Sequence, residues 1–240
     1  MRTILLIVCL FGSAVAFAAS GEVKLDRANV DLRDAVSVQR GAKVFINYCL
    51  GCHSASYMRY NRLMDLGLTE QQIVDNLIFG DAKIGDTMTI AMRKGDGKTW
   101  FGVAPPDLSV IARSRSADWL YTYLRGFYRD ESTVTGWNNV VFPSVAMPHV
   151  LWELQGVQRL HSVEGSDHGG GHNELVLETP GTMSTQAYDE MVRDLVAYLE
   201  YMAEPEGIKR VRIGIVVIFF LGLLVVLTWL LKREYWKDVH

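Results

Sequence analysis

At 240 residues, 49% of them hydrophobic and 21% charged, the chain can build one domain with a real core and is too apolar for a disordered segment. Acidic residues outnumber basic ones by 27 to 24, a formal net charge of −3, which excludes the basic surface that nucleic-acid binding needs.

The first residues read as a targeting segment. Arg2 supplies a positive start, Ile4 to Phe17 form an apolar stretch too short to span a bilayer, and Ala16-Phe17-Ala18 gives a small-x-small cleavage pattern. Residues 1–19 are therefore expected to be a cleaved signal peptide that takes Cys9 with it, and residues 20–208 an exported domain. Val38, Ala42, Phe45 and Cys49 then recur at spacings of four, three and four, which predicts an amphipathic helix leading into the remaining cysteines. Gly41 on that helix gives room for a close crossing.

In "LTEQQIVDNLIFG", Thr69 and Gln72 form a capping box, Ile73, Leu77 and Ile78 face inward, and Gly80 is the stop. "SRSADWLYTYLRGFY" predicts a helix capped by Ser116 and ended at Gly126. "HVLWELQGV" and "NELVLETPG" are expected to pair as a small hairpin. Between them His161, His168 and His172 sit in a Gly-rich stretch, read as a solvated loop tip with a weak adventitious metal site as the alternative. Tyr188, Met191, Leu195, Tyr198 and Met202 place a helix over about Thr185 to Met202, closed by Pro205 and Gly207.

Ile213 to Leu231 carries no charge and has the length a hydrocarbon core demands; a buried core helix is the other reading. Lys209, Arg210 and Arg212 on one side balance Lys232, Arg233 and Lys237 on the other, so basic residues do not orient it. The expected signal peptide does. It makes 209–232 a single membrane anchor and 233–240 a cytoplasmic tail, with Trp229, Tyr235 and Trp236 at the interface.

Three chemistries compete for Cys49-x-x-Cys52-His53 in "NYCLGCHSA". A structural zinc ion wants four ligands, usually a second pair at matching spacing, and no other cysteine survives export here. A redox dithiol belongs at the start of a helix after a strand, whereas this pair ends a helix. Covalent haem c fits each observation: the thiols add to the vinyl groups and His53 becomes the proximal iron ligand. One motif means one haem. The fold expected is then mainly α, a cytochrome c-like helical haem domain whose long loops wrap the cofactor, plus one C-terminal transmembrane helix.

A second axial ligand is sought among Met58, Met64, Met88, Met92, Met147, Met183, Met191 and Met202. Met191 and Met202 belong to an apolar helix face, and Met58 and Met64 are too near the attachment site. Met147 is favoured because "FPSVAMPHV" holds it in a stiff, non-helical loop between Pro143 and Pro148; Met88, Met92, Met183 and His149 remain alternatives.

With "RGAKVFINYCLGCHSASYMRYNRL", "APPDLSVIARSR", "FPSVAM" and "DLVAYLEYMAEPE" in this order before a single span, the chain resembles the cytochrome c1 family over nearly its whole mature length. The resemblance implies that Cys49 and Cys52 carry the thioethers and that His53 and Met147 are the axial ligands. It also implies that Pro105 and Pro106 pack beside the haem with a carbonyl for His53, and that Arg115 faces a propionate. Trp119 stands where many members have a tyrosine, and "PHV" follows Met147 where a proline pair is common.

The implied role is that of the electron-transfer subunit of ubiquinol–cytochrome c reductase, the cytochrome bc1 complex, with no bond-making active site in this chain. Its partners would be cytochrome b, the Rieske iron–sulfur protein as donor and a soluble c-type cytochrome as acceptor, within a dimer of the complex. Its place would be the bacterial inner membrane, single-pass, with the haem domain on the periplasmic side. The rival readings are a free-standing membrane-anchored monohaem carrier and, more distantly, a zinc-binding module.

Overall fold

In the computed structural model, residues 24–163 and 172–238 are described. The expected signal peptide over 1–19, Cys9 and His168 lie outside these residues.

The chain is mainly α, and two helices form its centre. Helix α1 (Ala35–Val44) starts where the Asp34 carboxylate accepts from the Val36 and Ser37 amides, both at 3.1 Å. It runs on into a π-helical turn, Phe45–Cys49, where the Leu50 amide reaches back to the Phe45 carbonyl at 2.9 Å. The residues expected to face inward, Val38, Ala42, Phe45 and Cys49, are all buried. They pack on the long helix near the C-terminus, which is numbered α7 below (Thr185–Ala203), where Tyr188, Met191, Leu195, Tyr198 and Met202 are buried in the same core.

Gly41 permits the crossing. A Cβ built on it would overlap the Asp194 carbonyl of the long helix, so any larger residue must push the two helices apart. Asp194 ties the same crossing by its carboxylate, which accepts from Ser37 Oγ at 2.6 Å and from Arg40 through two guanidinium nitrogens.

Around this pair the chain lays short elements. Strand β1 (Ala55–Arg59) leads into a 3-10 helix over Tyr60–Leu66, and α2 (Glu70–Leu77) follows with the Thr69–Gln72 capping box in place. Helix α2 ends at Leu77 instead of running to Gly80; Ile78 is already extended, at φ −110° and ψ 110°, and turns inward against the core. Strand β2 (Thr87–Met88) pairs with β1; then come α3 (Lys94–Phe101), α4 (Ile111–Arg115) and α5 (Ala117–Arg125). Strands β3 (Phe127–Arg129) and β4 (Trp137–Asn139) form a second antiparallel pair.

The third pair corrects the expected hairpin. Its second strand is β6 (His172–Pro180), as expected, but its partner β5 runs over Gly156–Val163 and not over residues 149–157. Trp152–Gln155 form a helical turn instead, α6, anchored by the buried Leu151. Gly156 at φ +98° ends that turn where a Cβ would strike the Thr179 carbonyl. The pairing sets His161 opposite Glu174, while His172 begins β6.

After α7 only Glu204–Glu206 intervene before α8 (Gly207–Tyr235), which closes the chain. Lys209–Tyr235, whose most apolar 18 residues reach a mean hydropathy of 2.9, is the one helix among the described residues long and apolar enough to cross a membrane. None of that stretch is buried against the rest of the chain, contrary to the core-helix reading.

Candidate functional site

The π-turn that ends α1 shapes the first part of the site. Cys49 is buried at its end, and its carbonyl accepts from the Cys52 amide at 3.0 Å and the His53 amide at 2.9 Å. These bonds coil Cys49 to His53 tightly, so all three side chains line one cavity of about 320 Å³. Burial, followed by the nearby Cys52, pushes the Cys49 thiol up to about 12, so it stays protonated.

His53 is oriented from behind. Its Nδ1 lies 2.8 Å from the Pro106 carbonyl, which can only accept, so Nδ1 carries the proton and Nε2 keeps its lone pair. Burial holds this imidazole below its usual range, with the Pro106 contact and Asp107 opposing, so the neutral ligand form is favoured.

The "PPDLS" segment is fastened to the chain just after His53. The Leu108 amide donates to the Ser54 carbonyl at 2.8 Å, the Ser56 amide to Asp107 Oδ2 at 2.8 Å, and the Tyr57 amide to Ser109 Oγ at 3.0 Å. Burial alone would raise the Asp107 carboxyl, but hydrogen bonds from Ser109 and Ser56 outweigh it and hold the group below its ordinary value. Pro105 and Pro106 both line the cavity, and α3 packs behind them: a Cβ on Gly97 would come within 2.8 Å of Pro105 Cδ.

Arg115 and Trp119 reach the cavity across the α4–α5 junction. Ser116 makes this turn at φ +78° and caps α5 by accepting from the Trp119 amide at 3.3 Å. The Arg115 guanidinium lies over the Trp119 ring at 5.1 Å and near the Phe142 ring at 5.9 Å, and it forms no ion pair among the described residues. It is a cation at the cavity rim with its charge free for an anionic group.

Met147 is the methionine of the cavity wall. Met58, Met88, Met191 and Met202 are buried in the main core, where Met88 Sδ accepts from the Tyr198 hydroxyl at 3.3 Å. Met92 and Met183 do not line the cavity. His149 does not either: it is buried, stacked on Phe127 at 4.8 Å and edge-on to Trp137 at 5.2 Å.

The Met147 loop is pinned by two residues that the sequence reading passed over. Asn139, fully buried, accepts from the Val141 and Phe142 amides at 2.9 and 3.2 Å and donates to the Tyr123 carbonyl at 2.8 Å. Tyr123 donates its hydroxyl to Met147 Sδ at 3.4 Å. The only signal for Asn139 was the "NN" before "VVFPS", a pair suited to bonding nearby backbone.

The residues present fit a haem group. Two thiols, an imidazole with a free Nε2 and a thioether converge on one cavity whose remaining wall is largely apolar, from Leu120 and Leu124 on α5 to Leu195 and Leu199 on α7. His161 is exposed on the β5–β6 hairpin and does not line the cavity.

Comparison with known proteins adds the following. The model described as the Cytochrome C1 family matches residues 28–96 and 173–239, which take in Cys49 to His53, α7 and all of α8. Pro105, Pro106, Arg115 and Met147 lie between the two matched segments. The chain is 52% identical to "Cytochrome c1" of Allochromatium vinosum, over 100% of both chains. It is 51% identical to "Ammonia monooxygenase gamma subunit" of Nitrosomonas europaea, over 100% of this chain and 99% of the relative. To "Cytochrome c1" of Rhodospirillum rubrum it is 29% identical, over 86% of this chain and 83% of the relative. A solved chain described as "Hyperthermophilic respiratory Complex III" aligns over 100% of this chain and 98% of its own, at 16% identity and a TM-score of 0.46.

Proposed function

We propose, because the chain belongs to the cytochrome c1 family, that it is the electron-transfer subunit of a membrane-bound ubiquinol–cytochrome c reductase. The observation that carries this reading is the convergence of Cys49, Cys52, His53 and Met147 on one apolar cavity. It follows the family match and this donor set, not the name of the Nitrosomonas relative.

In this reading Cys49 and Cys52 would hold haem c by thioethers, and His53 Nε2 and Met147 Sδ would ligate its iron. Bound there, haem c supplies a one-electron ferric–ferrous couple. The chain's own residues do the rest. Pro106 fixes the His53 tautomer through Nδ1, the bond that makes the imidazole a better and better-aimed donor. Arg115 offers its unpaired charge to a propionate. The apolar wall excludes water, which together with a methionine ligand favours a raised potential.

The chain would take one electron from a Rieske iron–sulfur protein and hand it to a soluble c-type cytochrome. Helix α8 suits an anchor packed against cytochrome b in a dimeric complex. We place residues 1–19 as the cleaved signal peptide, 20–208 on the periplasmic side of the bacterial inner membrane, 209–232 across it and 233–240 inside.

Gentle detergent purification through a tag on the tail, followed by optical and EPR spectra, tests this. Co-elution of b-type haem absorption and a Rieske signal with a c-type band is the expected result. A c-type band alone identifies a free-standing carrier, and a colourless protein that carries stoichiometric zinc by metal analysis identifies a zinc-binding module.

A further inference from the structure

The Tyr123 side chain is fixed to an unusual degree for a residue with no assigned role. Its ring stacks on Trp119 at 4.8 Å and 12° and meets Phe127 edge-on at 5.0 Å and 67°. Its carbonyl is held by Asn139, and Asn139 in turn holds the start of the Met147 loop. Phe127 closes the arrangement by packing with Val145 and Met147 in a small second core. With the ring locked, the hydroxyl has one hydrogen-bond partner among the described residues, Met147 Sδ at 3.4 Å.

From this geometry we infer that Tyr123 is a positioning residue that engages one lone pair of the Met147 thioether and thereby raises the reduction potential of the centre. The inference rests on the reading of Met147 as an axial ligand. A thioether sulfur has two lone pairs, and it is a weak acceptor. A hydroxyl donating to one of them leaves the other to face the cavity and stops rotation of the terminal methyl group. The same hydrogen bond draws electron density from the sulfur, which weakens its donation to the more electron-poor oxidised state. The positive end of the O–H dipole acts in the same direction, because it opposes additional positive charge nearby in a dry site. Both effects favour the reduced form. Tyr123 thus couples α5, the scaffold of the cavity wall, to the electronics of a ligand on a loop.

Tyr123→Phe keeps the stacked ring and removes only the hydroxyl. It is measured on the full chain purified with its membrane partners, by redox titration and by the sulfur-to-iron charge-transfer band of the oxidised protein. The potential is expected to fall: the oxidised-to-reduced ratio at fixed ambient potential rises about fivefold, the size of one ordinary hydrogen bond. At 59 mV per decade for a one-electron couple, that is about 40 mV. The band is expected to persist at a shifted position.

Met147→Leu separates the two questions. If it abolishes the band while Y123F leaves the potential unchanged or higher, the role of Tyr123 is overturned and the ligand assignment stands. If Met147→Leu keeps the band, the ligand assignment itself fails. Should Y123F not load haem, 3-fluorotyrosine incorporated at position 123 carries the test. It is nearly isosteric with a more acidic hydroxyl, so the potential is expected to rise, and an unchanged or lowered potential overturns the inference.

Discussion

The Asn139 side chain pairs the Val141 and Phe142 amides of the Met147 loop and adds a second bond to the Tyr123 carbonyl, which already accepts from the Gly126 amide at 3.1 Å. Each hydrogen-bond partner lost from a part-buried amide costs about 1 kcal/mol or more, so Asn139→Ala should destabilise this corner by about 2 kcal/mol and free Met147 from its place. Loss of the methionine-ligand band with the c-type attachment intact is the expected outcome; an unchanged band would show that Pro143 and Pro148 suffice to hold the loop. Glu200 presents the opposite case, a polar group that costs stability. Its Oε2 is buried without a hydrogen-bond partner among the described residues, and burial, then the Asp118 carboxylate, hold its carboxyl above the ordinary value of 4.5. A folded-state value above the unfolded one means that stability is full below about pH 4.5 and is lost as pH rises through the folded value. Glu200→Gln should therefore raise the thermal midpoint of the detergent-solubilised chain near pH 7, with the gain vanishing near pH 4. A gain independent of pH would point to packing instead of charge.

At the scale of elements, the helices that carry the site were legible because their burial repeats at the helical period. Val38 to Cys49 present one stripe, and it packs on the expected face of Tyr188 to Met202, although that second helix is covered on more than one side, with Asp194 to Leu199 all buried. Gly41 was legible for the same reason, as the small residue on a buried stripe, and it makes a sharp prediction. Gly41→Ala gains a little helix propensity but places a methyl group into the Asp194 carbonyl, and overpacking costs about 1–3 kcal/mol or more. Lower yield of haem-loaded protein and a lower unfolding midpoint are expected, whereas a stabilised protein would mean that the crossing yields freely. What stayed hidden depends on distant partners. Strands β2, β3 and β4 have two or three residues each, too few for any alternation to register. Helix α3 contains Gly95 and Gly97 and would not be chosen on propensity; it is held because Gly97 lets it sit against Pro105. The hairpin was misplaced because the apolar run 150–154 looks like a strand, while the stop that separates turn from strand is the positive φ of Gly156. Cys49, Cys52, His53 and Met147, which line the cavity, were likewise singled out by spacing and loop chemistry, whereas Tyr123 and Asn139 come to bear on it only through the fold.

The whole molecule is a cofactor domain joined to an anchor by three residues, and what holds that joint decides how the domain stands over the membrane. The 3-10 helix, α4 and α8 meet the linker there through ion pairs open to solvent. Glu204 lies 2.9 Å from Arg210 of α8 and 3.8 Å from Arg113 of α4, while Glu206 lies 3.1 Å from Arg62 and 3.0 Å from Lys209. Exposed pairs of this kind contribute about 0–1 kcal/mol each, and salt screens them, so they add little to folding. They still bias orientation, because they tie the linker to α4 and to the 3-10 helix, and a small energy difference is enough to select among tilts. Glu204 is the most buried carboxylate in the group, with its side chain 27% exposed, and it alone touches both α4 and α8. Glu204→Gln in the full chain, reconstituted in bilayers, should leave the unfolding midpoint and the c-type spectrum unchanged while hydrogen exchange accelerates over residues 204–212. Raised ionic strength should reproduce the effect in the unaltered chain and add less to the variant, which keeps only the Glu206 pairs. Exchange that stays slow in both would assign the rigidity of the joint to the backbone hydrogen bonds of the linker and to packing against membrane partners, and would remove the ion pairs from any part in positioning the domain.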